Sequence, residues 1–234
     1  PLKKGSVILS ADYSQIELRL LAHFSRDPVM ESSFKLDDDI HSLTAAEICN
    51  VTKKKVTEDQ RRLAKTINFG ILYGIGPKRL SKQINQDLKI AKAFIAKYFE
   101  KYSHVKNYFD EIIESTRDKG YSETILERRR YLPDINSNNF ISRGAAERAA
   151  INSPIQGSAA DIIKLAMILI NNDSSLYNDC RMIMQVHDEL VFEVSENKID
   201  NVSKKIKNYM EGCIALNVPL KVELGFGKSW SDSH

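Results

Sequence analysis

Met182-Ile-Met-Gln-Val-His-Asp-Glu-Leu-Val-Phe-Glu-Val194 holds two β-prone runs separated by His187-Asp188. Two such runs around a two-residue turn predict an antiparallel hairpin with Asp188 at its tip. Toward the other end of the chain, Val7-Ile-Leu-Ser-Ala11 is a short buried-strand pattern that runs straight into Asp12-Tyr-Ser-Gln-Ile-Glu17. Ser14 with Glu17 three residues on is a capping-box pair, which predicts a helix from Ser14 to about Ser25. A last helix is expected at 197–212 and a last strand at 218–226. Between these strand-bearing ends the periodicity is helical, over 28–36, 40–49, 58–73, 77–86, 88–102 and 104–119. A small hairpin is expected between 121 and 132, around Arg128-Arg-Arg130. Helices follow at 143–152 and 156–171, with a kink or break between them at Pro154. The layout is α+β, an antiparallel sheet with a helical insertion.

The 234 residues are 42% hydrophobic and 28% charged, an ordinary globular balance with room for a core and for two lobes. A net charge of +3 permits nucleic-acid binding without arguing for it. Cys49, Cys180 and Cys213 are isolated, lack zinc spacing and read as reduced thiols of a cytoplasmic protein. No apolar stretch approaches the roughly 20 residues of a membrane span, so no membrane partner is expected. The chain opens Pro1-Leu-Lys-Lys without an initiator Met, which reads as a piece of a longer protein.

Arg61-Arg-Leu-Ala-Lys65-Thr-Ile-Asn-Phe69-Gly-Ile-Leu-Tyr73-Gly carries the clearest chemistry. Thr57 with Gln60 caps its helix, and Gly74-Ile-Gly-Pro77 closes it. Steps of four overshoot one helical turn by about 40°, so Arg61, Lys65, Phe69 and Tyr73 form a slowly winding stripe. Two cations followed by two rings suit a ligand with a polyanionic tail and an aromatic head, such as a nucleoside triphosphate. The same stripe also fits a surface helix with two solvated charges and two core aromatics.

Asp12 at a strand end and Asp188 at a hairpin tip can meet at one sheet edge if their strands share a sheet. Divalent ions would offset the repulsion of such a pair, and two Mg²⁺ ions about 3.5–4 Å apart are the usual clamp for phosphoryl transfer. Taken singly, Asp12 also reads as a helix cap and Asp188 as a turn residue. Glu189 is read as auxiliary, since alternation points it away from Asp188. Asp37-Asp-Asp39 is read as a helix-start feature and Lys53-Lys-Lys55 as a solvated loop, while Arg128-Arg-Arg130 is either a phosphate contact or surface charge.

These segments together carry a resemblance. Asp12-Tyr-Ser-Gln-Ile-Glu-Leu-Arg19 resembles motif A of family A DNA polymerases, Arg61 to Gly74 their motif B, and Gln185-Val-His-Asp-Glu-Leu-Val191 their motif C. Gly144 to Asp161 is similar to the family's primer–template-binding region. The likeness runs in order from about Val7 to Trp230 and is nearest to the bacterial repair and Okazaki-fragment members. It implies a palm in residues 1–27 and 140–234, with the second catalytic aspartate and primer–template contacts in the latter, and mostly helical fingers in 28–139. It implies template-directed addition of dNTPs to a primer 3′ end, in replication and repair.

The resemblance also assigns roles. Asp12 and Asp188, with the Tyr13 carbonyl, would hold two Mg²⁺ ions, with Mn²⁺ able to substitute. Arg61, Lys65 and His41 would bind the triphosphate, and Lys65 would protonate the leaving pyrophosphate. Gln15, Glu17, Phe69 and Tyr73 would line the nucleotide, Glu17 as the gate that excludes a 2′-hydroxyl. Arg148, Asn152, Gln156 and His187 would touch primer or template, where minor-groove acceptors are similar for every base pair. The partners implied are primer–template DNA and dNTPs, for a monomer in the bacterial cytoplasm at the nucleoid. The family's thumb and exonuclease-like domains do not fit in the eleven residues before Asp12, so proofreading and nuclease activity are not expected of this chain. A non-catalytic module that binds duplex ends remains the competing reading.

Overall fold

A computed structural model describes residues 2–233. Contacts divide them into two compact units, one made of residues up to Glu17 together with residues from Ala159 on, the other Leu18–Ser158. The fold is α+β, as the order of strand and helix patterns implies.

The first unit is built on a four-stranded antiparallel sheet in the order β4-β5-β1-β6. Strand β1 (Ser6–Tyr13) lies between β5 (Glu189–Ser195) and β6 (Val222–Gly227), and β4 (Cys180–Val186) flanks β5. Pairing of β4 with β5 slips between Met182 and Met184, so Ile183 is the extra residue of a bulge. Alternation along β1 sends Leu9, Ala11 and Tyr13 to one face, where all three are buried. Helix α9 (Ile199–Gly212) covers that face with Val202, Ile206 and Met210, spaced four apart on one stripe. The Tyr13 hydroxyl donates to the Met210 carbonyl at 2.6 Å. Ser10 and Asp12 therefore belong to the opposite face.

The second unit is helical. Helix α1 (Ile16–Ser25) leads into it, followed by α2 (Pro28–Lys35), α3 (Ile40–Ile48), α4 (Glu58–Leu72), α5 (Pro77–Gln83), α6 (Leu88–Lys101) and α7 (Ser103–Lys119). Asp27 caps α2, accepting from Val29 N and Met30 N at 3.1 Å each, and its other oxygen accepts from His104 N at 3.3 Å. The hairpin β2 (Tyr121–Glu123) and β3 (Arg129–Tyr131) precedes α8 (Phe140–Asn172).

Three expectations are corrected. Residues 143–171 form one helix, α8, that runs through Pro154. The ring forfeits the bond that residue 154 would make to the Ala150 carbonyl. Burial of Ala150, Ile151 and Ile155 keeps the segment helical, and Ser153 Oγ donates to the Ala149 carbonyl at 2.5 Å. Helix α1 begins at Ile16 rather than Ser14, because the Ser14 amide extends the sheet to the Lys221 carbonyl at 2.8 Å and Gln15 turns the chain at φ 55°. The last strand starts at Val222 rather than 218, since Pro219 has no amide to give a ladder. Among the described residues, α8 alone is long and apolar enough to cross a membrane by composition, with a window of mean hydropathy 1.3. Of that window 56% is buried in protein, as in a core helix.

Candidate active site

The sheet unit brings the two singled-out aspartates together. Asp12 pairs with Glu189 in the β1–β5 ladder, and the Tyr13 amide donates to the Asp188 carbonyl at 3.3 Å. Asp188, in the turn just before β5, thus lies against the Asp12–Tyr13 step of β1, and both aspartates are half-buried. The tight turn that allows this puts His187 at φ 55°, exposed, with Gln185 Nε2 donating to its carbonyl at 3.1 Å. Tyr13 spends its side chain in the core, so only its main chain can serve the site. Glu189 is buried and engaged: Ser10 Oγ donates to it, and Trp230 Nε1 donates at 3.0 Å. Among the described residues no group of three or more His, Cys, Asp or Glu side chains gathers as a metal cage. Two carboxylates with a carbonyl is a donor set that suits Mg²⁺, which completes its shell with water and phosphate oxygens. Gln15 and Glu17 follow in the same unit, half-buried, and Gln15 Oε1 is buried without a hydrogen-bond partner.

The helical unit gathers the triphosphate candidates. The capping box of α4 is formed in both directions, with Thr57 N donating to Gln60 Oε1 at 3.0 Å and Gln60 N to Thr57 Oγ1 at 3.3 Å. The helix then carries Arg61, exposed Lys65, Phe69 and exposed Tyr73 along one side, with the last two rings 6.3 Å apart. His41, in the first turn of α3, lies 5.9 Å from the Phe69 ring. It is buried and accepts at Nδ1 from Asn68 Nδ2 at 2.8 Å. Burial pushes its pKa down to about 4, with Arg61 and Lys65 adding to the effect and Asp39 opposing it. His41 is therefore neutral at pH 7 and offers an N–H rather than a charge.

Sequence reasoning read Asp39 only as a helix-start residue and missed Asn68. Asp39 caps α3, accepting from His41 N at 3.1 Å and Ser42 Oγ at 2.6 Å, and it also takes Arg61 Nε at 2.6 Å. Burial pulls the Asp39 carboxyl up, but the hydrogen bonds from Arg61 and Ser42 outweigh it and leave it below its ordinary value. The cap was legible from position, whereas a partner 22 residues away was not. Asn68 was equally silent, an amide inside a helix pattern.

Helix α4 ends in a Schellman motif: Ile75 N donates to the Gly70 carbonyl and Gly74 N to the Ile71 carbonyl, each at 2.9 Å. Gly74 sits at φ 67°, and a Cβ there would meet Arg148 Cγ at 2.9 Å. The glycine thus brings Arg148 of α8 beside Tyr73. Both line a cleft of about 490 Å³ with Phe69, Lys78 and Arg79. Asn152 lies one turn on, its Oδ1 buried without a hydrogen-bond partner. Gln156 is exposed and lines a separate pocket of about 230 Å³ under the β2–β3 hairpin. The basic run there docks the hairpin: Arg128 Nη2 donates to the Gly157 carbonyl at 2.9 Å and Arg130 Nη1 to Ser153 Oγ at 3.2 Å. Arg129 bonds Glu123 at 2.8 Å. Contact is close enough that a Cβ on Gly157 would lie 2.5 Å from Thr124 Cγ2.

The sequence profile of DNA polymerase family A matches residues 1–232. The chain belongs to DNA polymerase family A. It is 48% identical to DNA polymerase I of Streptococcus pneumoniae (strain R6) over 237 residues, 100% of this chain and 27% of that protein. It is 45% identical to DNA polymerase I of Borreliella burgdorferi, over 99% of this chain and 26% of that protein. The chain thus spans about a quarter of the length of these curated relatives. Its fold matches the polymerase domain of Pol1 from M. smegmatis, solved in complex with DNA primer–template and dNTP, with a TM-score of 0.95 and 40% identity. That match covers 99% of this family A chain and 41% of the other. All three cysteines of this chain are free.

Proposed function

We propose that this chain is the catalytic part of a DNA-directed DNA polymerase, adding dNTPs to a primer 3′ end under template direction in bacterial replication and repair. The β-sheet unit is read as the palm and the α2–α7 region as the fingers. What carries the reading is the Tyr13–Asp188 main-chain bond, which makes the two aspartates near neighbours in the backbone although they lie 176 positions apart in sequence.

Asp12, Asp188 and the Tyr13 carbonyl would hold two Mg²⁺ ions, or Mn²⁺. When bound, such a pair neutralises phosphate charge and activates the primer hydroxyl. Arg61 and Lys65 bind the triphosphate by charge, and His41 does so by a neutral N–H. Lys65 donates a proton to the departing pyrophosphate, neutralising charge that grows as the bond breaks. Phe69 and Tyr73 offer the base a stacking face, Gln15 lines the nucleotide, and Glu17 crowds its sugar C2′. Arg148, Asn152, Gln156 and His187 contact primer or template. Primer extension by the protein at full natural length, as a monomer with Mg²⁺, tests this. Asp12→Asn and Asp188→Asn are each expected to remove nearly all turnover while DNA binding, read by fluorescence anisotropy, stays near the unmodified level. Retained turnover in both variants would overturn the metal assignment, and duplex binding without extension by the unmodified protein would favour a non-catalytic module.

A further inference from the structure

Helix α4 reaches the start of α3 at two points seven residues apart, which is two turns along one face. Arg61 meets the Asp39 carboxylate, and Asn68 meets the His41 ring. Asn68 and His41 are 1% and 2% exposed, so neither can exchange its bond for one to water. An amide nitrogen can only donate, so the ring nitrogen facing it must accept. As placed, the Asn68 amide turns Nδ2 to the ring and leaves Oδ1 buried without a partner, an orientation that assigns the ring proton to Nε2 and leaves Nδ1 bare.

We propose that Asn68 is a positioning residue of the nucleotide site: its Nδ2–H bond to His41 Nδ1 holds the imidazole neutral in the Nε2–H form, so that His41 presents a fixed hydrogen-bond donor to the triphosphate. The inference rests on the reading of this site as one that binds dNTPs. Its chemical sense lies in the company His41 keeps. Arg61 and Lys65 already supply charge, and a third cation beside them would be opposed by both. Asp39, the carboxylate nearest in this group, is occupied by Arg61 and Ser42 and by the His41 amide rather than by its ring. A neutral donor adds direction without adding repulsion. Without Asn68 the ring would divide itself between two tautomers, and the one with Nε2 bare would turn a lone pair toward phosphate oxygen.

Two measurements test this. The first is ¹⁵N NMR of the full-length protein with labelled histidine, assigning His41 by loss of its signals in His41→Gln. The expected spectrum shows Nδ1 as the bare nitrogen and Nε2 as the protonated one at pH 7.5. A protonated Nδ1, or exchange-averaged tautomers, would overturn the proposal whether or not the protein extends primers. The second is steady-state kinetics of Asn68→Leu and Asn68→Asp, with thermal melts confirming that each folds. Loss of one hydrogen bond in Asn68→Leu is expected to raise the KM for dNTP roughly 3- to 10-fold with kcat within about twofold. Asn68→Asp places a carboxylate that accepts a hydrogen bond from the ring Nδ1–H and favours the imidazolium, so KM is expected to become pH-dependent where that of the unmodified protein is flat. Unchanged KM and an unchanged ¹⁵N pattern in both variants would sink it. Failure of the unmodified protein to extend primers would instead count against the polymerase reading.

Discussion

At the scale of single residues, the histidine tucked under α4 ties stability to pH. In the unfolded chain an imidazole titrates near 6.5, whereas His41 in place titrates at about 4 because burial disfavours its cation. The unfolded state therefore takes up the proton first as pH falls. Stability is full above about 6.5 and declines as the pH drops toward 4, by at most about 2 kcal/mol at pH 5. Urea midpoints at pH 7.5 and 5.0 should separate more for the unmodified protein than for His41→Gln, and equal separations would contradict this. Asp39, whose carboxyl is held low, would act only below its ordinary range and does not confuse that window. Phe69 makes a second prediction. On the reading of Phe69 as a nucleotide-site ring, a tyrosine hydroxyl at this position could replace a polar contact of a dideoxynucleotide's missing 3′-hydroxyl and a phenylalanine cannot, so this chain is expected to discriminate against dideoxynucleotides. Phe69→Tyr should weaken discrimination by a few kcal/mol at most. Competition assays that show equal use of both nucleotides by the unmodified protein would refute it. Likewise Glu17→Ala should raise ribonucleotide incorporation relative to deoxyribonucleotide.

Among elements, the close of α4 is where local geometry and site meet. Gly74 combines a left-handed backbone with a space already taken by Arg148. Gly74→Ala should cost about 1–2 kcal/mol from the backbone conformation, and thermal melts would read it. Activity should suffer further as Arg148 is displaced, whereas Arg148→Ala in the same background should recover part of the stability. This turn was legible in advance, because a helix cap is encoded within a few residues: Thr57, Gln60 and Gly74 announce both ends of α4. The aspartates at strand end and hairpin tip were legible for the same reason. Pro154 misled, because the rule that proline ends a helix is local, whereas burial of Ala150, Ile151 and Ile155 is decided by the rest of the protein. Ser14 misled in the same way, its amide claimed by Lys221 from a distant segment. The Arg61 partner of Asp39, and Asn68 altogether, escaped notice because each acts through a contact that only the packing of α3 on α4 supplies.

The molecule as a whole has a sheet assembled from distant pieces of chain. Strand β1 is paired on both sides by strands that come from beyond residue 188, with the whole Leu18–Ser158 unit between. Leu9 is fully buried in β1. Leu9→Ala should destabilise the sheet unit by about 2–4 kcal/mol through the cavity it leaves. Hydrogen exchange should then lose protection in β5 and β6 more than in α6 and α7, and uniform loss would mean that the two units open together. The same pairing has a meaning for biosynthesis. When β1 leaves the ribosome, neither of its neighbours has been made. At about 5–20 residues per second, roughly ten to forty seconds pass before Glu189 and then Val222 emerge. For that interval Val7-Ile-Leu is an unpaired apolar strand on a nascent chain, the kind of segment that chaperones hold and that other strands can capture. The helical unit can fold in the meantime from its own contacts. Yield in the cell should therefore depend on how long β1 is kept from the wrong partner, a quantity set by translation speed and not by the stability of the finished protein.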